Sequence, residues 1–133
     1  MRDNSKTIGD LAELTVAAKF AEKGYFVSRP LTDNAPYDLI VDDGISLKKV
    51  QVKARTEREG KISVELFSSM VNYTKVYESG DFDLLAVYNI NTKEVAIISW
   101  DEISSNTKGI LFRTVPPLNN QTKGVRMFED YKV

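Results

Sequence analysis

A helix followed by strands, then a further helix followed by further strands, is the order that apolar periodicity writes along this chain. That order belongs to an α/β domain with a mixed β-sheet flanked by helices. Three stretches carry the expectation. Apolar residues at helical spacing run from about Ile8 to Lys23 and stop at Gly24. Asp38 to Arg55 reads as two strands joined through Asp42-Asp43-Gly44, and Asp83 to Tyr88 is a continuous apolar run of strand length. At 133 residues, 42% hydrophobic and 28% charged, the chain is long enough for one domain with a core of its own and too short for a second.

The first helix is entered through Thr7-Ile8-Gly9-Asp10, which predicts a capping box with the Thr7 hydroxyl on the first-turn amides. At about 100° per residue, Thr15, Lys19, Glu22 and Lys23 fall on one side, and Leu11, Leu14, Ala17, Phe20 and Ala21 on the other. Glu13 lies on that apolar side. A lone carboxylate buried there is costly or is forced neutral, so a cation, a hydrogen-bond donor or a wet cleft is expected beside it.

Tyr25 to Ser28 follows as a short strand and Arg29 to Asn34 as a polar loop. Pro36 opens the next strand, Asp38 to Val41, and Ser46 to Arg55 returns antiparallel to it. In that return strand Val50, Val52 and Ala54 alternate with Lys49, Gln51, Lys53 and Arg55, so period-two geometry sets all four polar residues on one face. The hairpin can carry Asp38 onto the same face, with a register that the irregular loop leaves open. Ile62 to Leu66 reads as another half-buried strand after the charged turn Glu57 to Lys61. Phe67, Met70, Val71, Thr74 and Tyr77 have helical spacing up to Ser79-Gly80-Asp81, which predicts the second helix. Asp83 to Tyr88 and Glu94 to Trp100 pair as antiparallel strands across Asn91-Thr92-Lys93, and Asp101 caps a short helical turn. From Ser104 the chain turns often, with one strand at Ile110 to Val115. One domain over residues 1–133 is expected, with an irregular C-terminal extension from about residue 116.

Composition removes several kinds of chemistry. There is no cysteine and no histidine, so disulfides, thiolate metal sites, imidazole acid–base catalysis and a histidine-activated serine are all absent. Catalysis must run on carboxylates, lysine, hydroxyls or amides. Eighteen basic against nineteen acidic residues give a net charge of -1, so any nucleic-acid contact has to come from a local basic patch. No apolar run reaches membrane-spanning length, and Met1 to Lys6 lacks the apolar stretch of a signal peptide, so a soluble, cytoplasmic protein is expected.

Singly, Asp38 is a residue that opens a strand, and Gln51 with Lys53 is a solvated strand face. Together with Glu13 they make a set that phosphodiester hydrolysis can use. Glu13 and Asp38 offer oxygens to a hard divalent cation, Gln51 adds a neutral carbonyl oxygen, and Lys53 can orient the attacking water and stabilise the developing charge. Lys48, Lys49, Arg55, Arg58 and Lys61 cluster around the hairpin in sequence, and Arg29 precedes it. These are the candidates for phosphate contacts.

Gly9-Asp10-Leu11-Ala12-Glu13, Pro36-Tyr37-Asp38-Leu39-Ile40-Val41 and Val50-Gln51-Val52-Lys53, three ordered blocks in the first half of the chain, resemble the PD-(D/E)XK nuclease superfamily. The likeness is nearest to the branch that includes group I intron homing endonucleases, with archaeal Holliday junction resolvases as relatives. The resemblance implies a restriction-endonuclease-like core. It also implies Glu13, Asp38 and Gln51 as metal ligands and Lys53 as the catalytic lysine. Gln51 stands where the pattern normally has Asp or Glu, which leaves the site about one charge less negative and a weaker binder of cations. The implied activity is a site-specific, magnesium-dependent endonuclease, with manganese as a possible substitute, that makes double-strand breaks in DNA. Such breaks need two sites, hence a dimer or tetramer. The alternatives are a Holliday junction resolvase and a non-catalytic DNA-binding module of the same fold.

Overall fold

The computed structural model describes residues 4–103, 108–121 and 123–133. The first helix, α1 (Ser5–Glu22), starts earlier than its periodicity suggests, because Asn4 is the N-cap and its side-chain oxygen accepts from Thr7 N at 2.9 Å. An asparagine at that position satisfies a first-turn amide directly, which replaces the expected Thr7 capping box. At the other end Gly24, at φ +87°, lets Gly24 N donate to Ala21 O and Tyr25 N to Phe20 O. The aromatic rings of Phe20 and Tyr25 close over that turn at 5.3 Å, the apolar contact that accompanies this kind of helix stop.

The row that α1 buries is Ala12, Val16 and Phe20, spaced four residues apart. Leu11 and Leu14, expected on the apolar side, are 47% and 65% exposed. The helix meets the sheet along this one narrow row, so the residues beside it stay in contact with water.

The strands are β1 (Phe26–Ser28), β2 (Leu39–Asp42), β3 (Leu47–Arg55), β4 (Lys61–Glu65), β5 (Phe67–Met70), β6 (Tyr73–Val76), β7 (Leu84–Asn89), β8 (Val95–Ser99) and β9 (Gly109–Arg113). A short helix, α2 (Phe128–Tyr131), ends the chain. The central sheet has the order β1-β2-β3-β7-β8 and is mixed, with β3 and β7 parallel and the other neighbours antiparallel. β4 and β9 form a separate ribbon, as do β5 and β6.

Three layers result. On one face α1 packs against Leu39, Val41, Val50, Ala86, Tyr88 and Val95. On the other, Ile62, Val64, Ile110 and Phe112 of the β4-β9 ribbon, with Phe128 of α2, cover Leu85, Val87, Ala96 and Ile98. Helices therefore flank the mixed sheet, as the sequence predicts, and a β-ribbon joins the second of them.

Two further expectations are corrected. The segment expected as a second long helix is the β5-β6 hairpin, paired Phe67↔Val76 to Met70↔Tyr73. Asn72 at φ +70° takes the left-handed position of its two-residue turn, which asparagine tolerates. Over so short a run the apolar spacing fits both periods, and the β-branched and aromatic residues decide for strand. The tail is not irregular to its end either. The reading that begins at Ser104 lies outside the described residues over 104–107, but Arg113 bridges to Met127, Ala96 bridges to Lys132, and Phe128 is 3% exposed within the core.

Candidate active site on the β2-β3 hairpin

The register that the sequence leaves open is fixed by a backbone and a side-chain bond. Leu39 pairs with Val50, and one residue earlier Asp38 N donates to Val50 O at 2.8 Å. Val52 N then donates to Asp38 Oδ2 at 2.8 Å. Asp38 is thus clamped opposite Gln51, on the sheet face that also carries Lys53.

Gln51 is one of two buried polar side chains among the described residues, at 7% exposure. Its amide nitrogen donates to Pro36 O at 2.9 Å. Because that bond uses the nitrogen, the carbonyl oxygen is the end left for a ligand. Lys53 is half-buried, with Nζ 5.3 Å from the centre of the Tyr77 ring, and its charge acts on both Asp38 and Glu65.

Glu13 reaches the cluster from α1. Its Oε1 lies 3.2 Å from Nη2 of Arg29, which is the cation that a half-buried carboxylate requires. Glu13, Asp38, Arg29, Asp10, Lys6 and Tyr37 line a cleft of about 330 Å3. Burial raises the Glu13 carboxyl above its ordinary range, Asp38 and Asp10 add to the rise, and Arg29 opposes it. Burial likewise raises Asp38, against the Val52 amide and the charges of Lys53 and Arg29. Two carboxylates pushed toward neutrality in one cleft constitute a site short of positive charge.

That donor set suits a hard divalent cation. Among the described residues no three His, Cys, Asp or Glu side chains gather into a cage. A cation held here would take two carboxylates, the Gln51 oxygen and water, and magnesium commonly keeps several waters in this way.

The six basic residues proposed for phosphate contact are placed differently from one another. Arg29 sits in the cleft. Lys48 pairs with Val41 and falls on the sheet face opposite the cluster. Lys49 shares the cluster's face, but its ammonium is held by Gly80 O and lies 5.7 Å over the Tyr37 ring. Arg55 is paired with Glu65 at 2.6 Å. Glu65 is held below its ordinary range by its own amide and by Arg55. Arg58 and Lys61 flank a tight turn and are both exposed. With Arg55, Thr56, Ser63 and Glu65 they line a groove of about 430 Å3 just past Lys53 along β3.

Sequence reasoning missed Tyr77 and Glu65. Tyr77 was hidden by the expected helix, and Glu65 reads as one polar position in an alternating strand.

A profile of PD-(D/E)XK endonucleases matches residues 3–133. Protein 5.3 of Escherichia phage T7 is 32% identical over 106 residues, 74% of this chain and 83% of that protein. The bacterial homing endonuclease I-Ssp6803I superposes with a TM-score of 0.78 at 26% identity, covering 98% of this chain and 89% of that one. With a profile spanning nearly its whole length and a matching three-layer core around the Asp38 hairpin, the chain belongs to the PD-(D/E)XK endonuclease family.

Proposed function

We propose that this chain is a metal-dependent DNA endonuclease that hydrolyses phosphodiester bonds at the Glu13, Asp38, Gln51 and Lys53 cluster, site-specific and of homing type. The observation that supports it most is that Asp38, clamped opposite Gln51 on the face that carries Lys53, shares a cleft with Glu13 of α1, both carboxyls being raised above their ordinary range. Glu13, Asp38 and Gln51 would hold magnesium, or manganese in its stead. The ion supplies Lewis acidity and neutralises charge on the scissile phosphate. Lys53 orients the attacking water and stabilises the charge that builds on the phosphoryl oxygens. Asp38, fixed through one oxygen by the Val52 amide, would offer its second oxygen to the ion. Arg29, Arg58 and Lys61 hold the DNA backbone, and Lys48, Lys49 and Arg55 add charge around them. Cutting both strands of a duplex takes two copies, so the working form is a dimer or tetramer. Acting on DNA, it works in the cytoplasm.

The test is to incubate the protein, with and without magnesium, with a randomised linear duplex library and with a synthetic four-way junction. Magnesium-dependent cuts at a recurring duplex sequence are expected. Preferential cutting of the junction would instead identify a resolvase, and magnesium-dependent nicking of neither substrate would leave only a DNA-binding module.

A further inference from the structure

We propose that Tyr77 is a positioning residue for Lys53, holding its ammonium over the aromatic face, where its charge acts on Asp38, before DNA arrives; this rests on the catalytic reading of Lys53. The tyrosine is itself immobilised. It is 9% exposed, its ring packs edge-on against Phe82 at 5.2 Å, and the Ser68 hydroxyl donates to its phenolic oxygen at 3.1 Å. Tyr77 N donates to Leu66 O at 3.1 Å, which ties the base of the β5-β6 hairpin to the end of β4. A ring fixed on three sides offers Lys53 Nζ a face at 5.3 Å, within the range where cation–π attraction acts.

The need for such a device follows from the lysine. Its four-carbon stem has many rotamers, and ordering them on binding DNA would cost entropy in the reacting complex. The acidic neighbours of Lys53 are Asp38 and Glu65. Asp38 is a proposed ligand of the cation and Glu65 is already bonded by Arg55 at 2.6 Å. The Tyr77 ring is the neighbour that attracts the ammonium without being consumed by another partner. It also carries no net charge, so it draws Lys53 into place without neutralising it.

The experiment compares wild type with Tyr77→Phe and Tyr77→Leu, and uses Lys53→Ala to identify the lysine signal. In the wild-type protein without metal, the Lys53 ε-methylene protons should be shifted upfield by the ring current. The shift should persist in Tyr77→Phe and vanish in Tyr77→Leu. Cleavage kcat should fall about tenfold in Tyr77→Leu, with KM for DNA unchanged and Tyr77→Phe within about twofold of wild type, as loss of a cation–π contact of this size implies. A Lys53 methylene at its solvent-exposed position in wild type would overturn the proposal even if Tyr77→Leu fails to fold, as would wild-type kcat in a folded Tyr77→Leu. The two readings fail separately. Full cleavage by Lys53→Ala removes the role of the lysine, whereas an inactive Lys53→Ala beside an unimpaired Tyr77→Leu removes only that of Tyr77.

Discussion

At Gln51 a neutral amide stands where a third acidic group would complete a cage, and the surrounding bonds say which of its atoms is left for a ligand. Pro36 O takes the amide nitrogen, so the oxygen is presented. Replacing Gln51 with Glu adds a negative charge opposite Asp38, whose carboxyl, like that of Glu13, is already raised. Gln51→Glu should therefore lower the magnesium concentration needed for half-maximal cleavage, and an unchanged metal titration would make Gln51 a bystander. Asp38 gives a second prediction, in stability. Its folded pKa lies above its ordinary value of 3.8, chiefly through burial. The folded state therefore gains stability from its protonation below that value and loses it as pH rises through the raised one. Without metal at neutral pH, Asp38→Asn keeps an acceptor for Val52 N and removes the buried charge, so it should melt higher than wild type. The advantage should disappear on acidification below about 3.8, the ordinary carboxyl value; a lower melting temperature throughout would contradict the desolvated-carboxylate account. The residue types at all four positions are legible in the sequence. Their alignment is not, because Asp38 lies one residue outside its strand and is fixed by a side-chain bond that no periodicity encodes.

The elements differ in how openly they are written. Helix α1 and the β2-β3 hairpin are read correctly as elements, though not in the cap or the buried row of α1, because long runs and a strong Asp42-Asp43-Gly44 turn leave one period open. Asp42 and Asp43 each accept backbone amides within that turn, as turn aspartates do. The β5-β6 hairpin is misread because residues 67–77 place apolar groups at intervals that both periods accept. The C-terminal return is missed for another reason. Phe128 finds its neighbours, Phe112 at 6.0 Å among them, only after the β4-β9 ribbon has formed, and such long-range packing leaves no local pattern. That return should be structural in effect. Truncating a fully buried phenylalanine typically costs about 3–5 kcal/mol, so Phe128→Ala should lower the unfolding free energy by about that much. A melting curve within about 0.5 kcal/mol of wild type, the size of a surface substitution, would show that the tail lies outside the cooperative core.

For the whole molecule, a net charge of -1 conceals an uneven distribution. Acidic groups gather at the Glu13–Asp38 cleft, while Arg58 and Lys61 open a basic groove beside the far end of β3. On β3, Lys53 lies between Gln51, opposite Asp38, and Arg55 at the groove, so a DNA backbone held in that groove would be led toward the carboxylates. None of the described helices is long and apolar enough to cross a membrane. Composition alone reports only the sum of these charges, and the separation appears once β3 sets them in line. The most direct measurement is single-turnover cleavage by wild type and Lys53→Ala on a duplex that the wild type cuts, with saturating magnesium and DNA affinity measured in parallel. The catalytic reading predicts equal affinity and a rate lower by about 10²–10⁴ in Lys53→Ala, the usual contribution of a general acid or base. Equal rates for the two proteins would contradict it.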